Sequence, residues 1–102
     1  MTQQIDAHSW VYVLVQNPGS DDHIVGQMDS ENEISFIPMF LNKEAAFQSV
    51  IHMVKEKGQK YEIQAIIYED LEKYASKGRF ILFVIDAEGK VIDKRVPFQT
   101  TQ

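Results

Sequence analysis

Apolar and polar residues alternate with two periods along the chain, and the switches between them mark eight predicted elements. Trp10 to Gln16 is a run of aromatic and β-branched residues that stops at Asn17-Pro18-Gly19-Ser20, a turn by composition. Ile24 to Met28 reads as a short strand, followed by a polar loop from Asp29 to Glu33. Ile34 to Phe40 resumes the strand pattern; Pro38 inside it has no N–H for a ladder, which predicts an edge or a bulge. From Lys43 to Lys57 the residues Ala46, Phe47, Val50, Ile51 and Val54 recur at three and four, the spacing of one helical face. Asn42 is placed to cap that helix, Lys55 and Lys57 suit its last turn, and Gly58 its left-handed close. Tyr61 to Tyr68 alternates as a strand with one buried face. Glu69 to Lys77 spaces Leu71, Tyr74 and Ala75 as a two-turn helix ending at Gly78. Arg79 to Asp86 is apolar on both parities, and the tight turn Asp86-Ala87-Glu88-Gly89 joins it to Lys90 to Val96 as a hairpin.

The order β-β-β-α-β-α-β-β, with hairpins at both ends, predicts one α+β domain. Its sheet is expected to be mixed and mostly antiparallel, of five to six strands, with two helices on one face. The domain is expected over residues 10–97, between a flexible lead-in (1–9) and a tail (98–102).

Width then matters. A helix about 10 Å across covers roughly two strands spaced about 4.8 Å apart, so two helices shield one face of such a sheet and little more. Yet the first strand is apolar on both parities (Val11, Val13, Val15 against Trp10, Tyr12, Leu14), as is Arg79 to Asp86. Strands of that kind are normally buried on both faces. Either the sheet curls onto itself or a second protein, most simply another copy, covers the open face. The second possibility is the one expected here, with Trp10, Tyr12, Leu14, Phe80, Leu82 and Val84 as the candidate interface.

Composition narrows the function classes. The chain has 102 residues and no cysteine, which removes disulfide frameworks, thiolate metal sites and thiol nucleophiles together. Lack of cysteine suits a reducing compartment, and the first nine residues carry neither a basic nor an apolar leader segment, so a cytoplasmic location is expected. No apolar run approaches membrane-spanning length. Net charge is −5, unevenly spread: residues 1–42 hold six acids and no Lys or Arg, whereas residues 43–102 hold nine acids and ten bases. An acidic chain lacks the counterion-release term that drives nucleic-acid binding, and anionic membranes are disfavoured likewise. Asp21, Asp22, Asp29, Glu31 and Glu33 form a candidate acidic surface for a basic partner, although solvated turns between strands account for them more simply.

The chemistry-bearing residues form no catalytic set, and no cofactor is expected. His8 lies in the lead-in, and His52 stands beside the apolar stripe of the long helix with no carboxylate fixed next to it. Asp21-Asp22-His23 aligns three potential metal ligands, but neighbouring loop residues seldom converge on one ion. Asp86 to Gly89 lacks the alternating oxygens of a calcium loop. Ser9 and His8 point to opposite faces of any strand they join. Gly78 and Gly89 are isolated, so no phosphate-cradling loop exists. Lys55, Lys57, Lys60, Lys77 and Arg79 could gather as an anion site, with solvated helix ends as the simpler account.

The run Phe36-Ile37-Pro38-Met39-Phe40-Leu41-Asn42-Lys43-Glu44-Ala45 joins a strand ending in Pro-x-Phe to a capped helix. Together with the later order of a strand, the short helix holding Asp70-Leu71, and the apolar strand Phe80 to Ile85, it resembles SseB-like N-terminal domains over most of Trp10 to Val96. The chain differs where that family tends to place Asn-Pro, having Asp86-Ala87. The resemblance implies a small bacterial cytoplasmic α/β domain of a family named from serine-sensitivity and secretion-associated proteins, with no established enzymatic role and no functional residue to carry over. The expected function is therefore a non-enzymatic interaction module, homodimeric through the open sheet face. The alternative is a small-ligand-binding or regulatory domain with a pocket between the long helix and the sheet, near His52, Met39 and Tyr68.

Overall fold

The computed structural model describes residues 5–19, 23–51 and 57–97. Among these residues seven strands and two helices follow one another as β1 (Trp10–Gln16), β2 (His23–Ile24), β3 (Gln27–Asp29), β4 (Ile34–Met39), α1 (Lys43–Val50), β5 (Tyr61–Ile67), α2 (Tyr68–Gly78), β6 (Ile81–Ile85) and β7 (Val91–Arg95). The α+β class and mixed pairing are those expected; the strand count rises because the segment read as Ile24 to Met28 breaks at Val25-Gly26 into β2 and β3.

The strands form two sheets, β2-β1-β5 and β3-β4-β6-β7, in which β4 and β6 are parallel neighbours and the other pairs are antiparallel. Tyr12 and Phe40 stitch the sheets together, each N–H donating to the other's carbonyl at 2.8 and 2.9 Å. The consecutive pieces β2 and β3 fill the wedge where β1 and β4 diverge, β2 pairing with the end of β1 and β3 with the start of β4. Pro38 sits between those contacts. Its nitrogen shares the parity of Phe40, so it points to the side of β4 that β3 has left at Phe36 and β1 first reaches at Phe40. No ladder bond is lost there, which is how a proline stands inside an internal strand.

Helices α1 and α2 lie on opposite faces, not on one as the element order predicts. Leu71, Ala75 and Tyr68 of α2 pack with Val11, Val13, Val15, Ile37, Met39, Leu82 and Val84. Ala45 and Ala46 of α1 pack with Phe40, Tyr12, Ile63 and Ile85, which are side chains of the other parity. The physical reason is directional. The connection β4-α1-β5 crosses the sheet one way and β5-α2-β6 crosses back, and two crossovers of the same right hand running in opposite directions must use opposite faces. Both parities of β1 are thereby covered within the chain: Val13 is 1% exposed and Leu14 2%.

Each helix is fixed by its ends. The Ala45 N–H donates to Asn42 Oδ1 at 2.8 Å, the expected cap, and Ser49 Oγ donates to the Asp86 carbonyl at 3.3 Å. The buried side of α1 is Ala45, Ala46 and Ser49, whereas Phe47 and Ile51, which share the predicted apolar face with Ala46, are 59% and 69% exposed. Small residues let α1 approach the sheet closely, and that orientation turns its larger side chains outward. Residues 52–56 of the predicted helix lie outside the described residues, and Lys57 and Gly58 form a turn with Gly58 at φ +85°. Helix α2 starts without a loop or a side-chain cap. Its first amides, on Tyr68 and Glu69, donate instead to the carbonyls of Ser9 and Ala7. Residues 5–9, expected as part of a flexible lead-in, thus cap a helix, and Ile5 packs on the core. At the other end Arg79, not Gly78, takes the left-handed position (φ +58°). Gly78 has a different duty: a Cβ there would lie 2.6 Å from the Phe80 ring, and a Cβ on Gly26 would meet the same ring at 2.6 Å. Phe80 is clasped between two glycines.

Candidate interaction surface

The six residues of the candidate interface do not form one surface. Leu14, Leu82 and Val84 are buried, with 2%, 0% and 1% exposure, and Phe80 is half-buried between its glycines. Leu82 and Val84 belong to the α2 side of the sheet and Tyr12 to the α1 side, so the set is split by the sheet itself. Trp10 alone of the six is well exposed, at the start of β1. Of the acidic candidates, Asp21 and Asp22 lie outside the described residues. Asp29, Glu31 and Glu33 occupy the β3–β4 turn, where Asp29 accepts from the Glu31 N–H and from Asn32 Nδ2 at 3.0 Å. The Asn32 amide holds the Asp29 carboxyl below its ordinary range. These acids serve a solvated turn.

The remaining candidates separate as well. His52 and Lys55 lie outside the described residues, while Met39 and Tyr68 are buried on the face opposite α1, so among the described residues no pocket joins these two to that helix. Ser9 Oγ contacts Asp6 Oδ1 rather than a histidine. His23 opens β2 and is exposed; among the described residues no group of three His, Asp or Glu is placed to hold a metal ion. Lys57 and Lys60 precede β5, whereas Lys77 and Arg79 close α2. Burial raises the Tyr68 phenol above its usual range, against the pull of the Arg95 cation 5.4 Å over its ring.

What the fold leaves open is an edge. Strand β5 pairs with β1 over all seven residues, from Trp10↔Ile67 to Gln16↔Tyr61, and with no other strand among the described residues. Beyond each end of this ladder the Tyr68 N–H donates to Ser9 O and the Asn17 N–H to Lys60 O. Antiparallel pairs alternate between bonded and non-bonded. Glu62, Gln64 and Ile66 therefore turn their backbone groups to β1, while Tyr61, Ile63, Ala65 and Ile67 turn theirs outward. Tyr61 has a further partner. The N–H and C=O groups of Ile63, Ala65 and Ile67 face away from β1 with no strand opposite them among the described residues. No residue of β5 is fully buried.

The edge has a largely apolar shoulder. A groove of about 550 Å³ runs between α1 and β5, lined by Leu14, Phe47, Val50, Tyr61 and Ile63 together with Lys43 and Glu62. The exposed Phe47 ring stands on its helix side with Lys43 Nζ 5.9 Å from the ring centre. A second cavity, about 540 Å³, lies at the carboxyl ends of β4 and β6 between Leu41, Asn42, Ala45 and the β6–β7 hairpin. Its two carboxylates are already engaged. Asp86 Oδ1 accepts from the Glu88 and Lys90 amides, both at 2.9 Å, and Asp93 Oδ2 pairs with Arg95 Nε at 3.1 Å.

Sequence reasoning missed this surface. The spacing sets Phe47 and Ile51 on one apolar helical face and gives β5 one buried face without placing it in the sheet. The available signal was a contrast: β1 alternates apolar on both parities, while Tyr61 to Ile67 interposes Glu62 and Gln64. No family model matches the chain, and no curated protein and no solved structure matches it.

Proposed function

We propose that this chain is a non-enzymatic protein-interaction module that binds by adding a strand to the open edge of β5. One observation carries the reading: a seven-residue, mostly apolar edge strand whose outward backbone groups at Ile63, Ala65 and Ile67 meet no other strand among the described residues. Natural proteins blunt exposed edges with prolines, bulges or several charges, because an open edge templates pairing with another chain. Between Tyr61 and Ile67 there is one charge, Glu62, and no proline. Strand addition supplies affinity through main-chain bonds and specificity through flanking side-chain pockets, the place taken here by the α1–β5 groove. The proposal moves the contact from the sheet face, which the chain covers itself, to the sheet edge. A cytoplasmic setting belongs to the same proposal, on the absence of cysteine; among the described residues no helix is long and apolar enough to cross a membrane.

A displayed library of extended peptides selected on the protein tests this. Selected peptides are expected to lose binding to Ala65→Pro, which removes an outward N–H and leaves every bond to β1 intact. Failure to select any peptide, or equal binding to Ala65→Pro, overturns the reading. The ligand-binding alternative draws on the cavity at the carboxyl ends of β4 and β6, a position where sheets with parallel strands often hold ligands. It ranks second because both carboxylates in that cavity are committed to the hairpin.

A further inference from the structure

We infer that the hollow at one end of the β2-β1-β5 sheet binds a neutral planar heterocycle carrying a hydrogen-bond donor and acceptor side by side, as an adenine base does. The inference stands apart from edge pairing, since it uses none of the outward backbone groups of β5.

Register builds the site. Gln16 closes β1 and stands directly opposite His23 of β2 on one side and Tyr61 of β5 on the other. Residues directly opposite in antiparallel strands share a sheet face, so the three form one row with Gln16 in the middle, about 10 Å from end to end. After Ile24 the chain leaves β2 through Val25-Gly26 and enters β3 at Gln27. Between this crossing and the row lies a hollow of about 370 Å³, walled by the side chains of Gln16, His23, Val25, Gln27, Met28 and Tyr61. That volume falls within the range of small-molecule sites.

Gln16 is the group that calls for a ligand. It is only 8% exposed, yet its carboxamide has no hydrogen-bond partner among the described residues. Buried carboxamides are ordinarily paired, because an unpaired one gives up water and gains nothing in return. Among the described residues no fully enclosed side-chain oxygen or nitrogen lacks a partner. The Gln16 oxygen and nitrogen therefore each keep a window, and the hollow that Gln16 lines is that window. Gln27 and Tyr61 have other partners, which leaves the Gln16 carboxamide to set the hydrogen-bond pattern.

The wall selects the class of ligand. A carboxamide holds its acceptor and donors in one plane and meets an adjacent donor and acceptor on a flat ring with two parallel bonds, the pairing glutamine makes with adenine. Val25, Met28 and the Tyr61 ring offer such a ring apolar contact, and the Met28 thioether suits an aromatic edge. Among the described residues no Lys, Arg, Asp or Glu lines the hollow, so a neutral ligand suits it better than an anion or a cation.

Adenosine titrated into the isotope-labelled chain and followed by NMR tests the site. It should move the side-chain amide resonances of Gln16, identified by their loss in Gln16→Leu, with a Kd of about 1 mM. The dimethylamino analogue of adenosine keeps the ring but loses the donor, and should bind about tenfold more weakly. Adenosine should bind Gln16→Leu more weakly by about the same factor. Gln16→Glu leaves acceptors only and should exchange the preference, binding guanosine, whose base presents two adjacent donors, more tightly than adenosine. AMP should bind no more tightly than adenosine. Should Gln16→Leu not fold, Gln16→Glu and the analogue on the wild-type chain decide alone. Unmoved Gln16 resonances at about 10 mM adenosine, equal binding of the analogue, no exchange of preference in Gln16→Glu, or tighter binding of AMP overturns the inference.

Discussion

Strands β1 and β5 have the same length, run side by side in full register and share one ladder, yet they live in different environments. Five of the seven β1 residues are buried, and none of those in β5. The difference comes from what lies beyond the shared ladder. β1 has β2 and Phe40 on its far side and a helix on each face; β5 has no strand on its far side among the described residues, and α1 touches it with small side chains. Burial here is a property of position in the sheet, and apolar sequence follows position imperfectly: Ile63, Ile66 and Ile67 are as greasy as anything in β1 and remain half-exposed. An apolar strand left half-covered is the feature from which an interaction surface is built.

A charge placed on each strand breaks the comparison most sharply. Val13→Asp and Leu14→Asp each bury an unpaired carboxylate, one on either face of β1, and each should cost roughly 3 kcal/mol or more, a large fraction of the stability of a chain of this size. Ala65→Asp on β5 should stay within about 0.5 kcal/mol in dilute solution. Urea unfolding of the three variants measures this. A loss within about 0.5 kcal/mol for either β1 variant would mean that one face of β1 is open after all.

The two helices give the next largest contrast. Leu71 is fully buried on α2, and Leu71→Ala should lose about 2–5 kcal/mol through lost burial and the cavity left behind. Phe47 presents a larger side chain on α1 but is 59% exposed, and Phe47→Ala should cost below about 1 kcal/mol in the monomer. Comparable losses from both would put Phe47 in a closed core and take away the shoulder beside the β5 edge.

These contrasts also mark what could be read from the residues in advance. Local chemistry was legible: the Asn42 cap, the hairpin turn with Gly89 at φ +85°, the ends of β1, and the alternation of β5 all follow from side chains within a few positions. Strand order was not. Whether β5 lies beside β1 or beside β6 depends on contacts far apart in the chain, and the helices' opposite faces follow only once the crossovers are seen to run in opposite directions. The width estimate that demanded a partner assumed both helices on one side; with one on each, the apolar parities of β1 are both answered. The start of α2 was hidden for a related reason, since its cap is supplied by carbonyls of residues 7 and 9 rather than by its own sequence. The edge could not be read at all, because an edge is defined by the absence of a neighbour.

The smallest effect lies where β5 ceases to be an edge. Tyr68 continues its even parity, turns into α2 and is 4% exposed in the α2-side core, the one enclosed point at the end of a half-covered strand. Burial raises its phenol, with Arg95 opposing the rise, so the folded state prefers the neutral ring more than the unfolded chain does. A group raised in the fold contributes stability that is complete below its unfolded value, about 10, and is lost as pH climbs through the folded value. Urea midpoints should therefore fall above about pH 10 in the wild type and fall less steeply in Tyr68→Phe, which cannot ionise. Phenylalanine also removes the hydroxyl from the Arg95 contact, so the variant's stability at neutral pH is read separately, and only the alkaline slope bears on enclosure. Equal slopes in wild type and Tyr68→Phe would mean that Tyr68 is as solvated as the rest of its strand, and that β5 is open along its whole length.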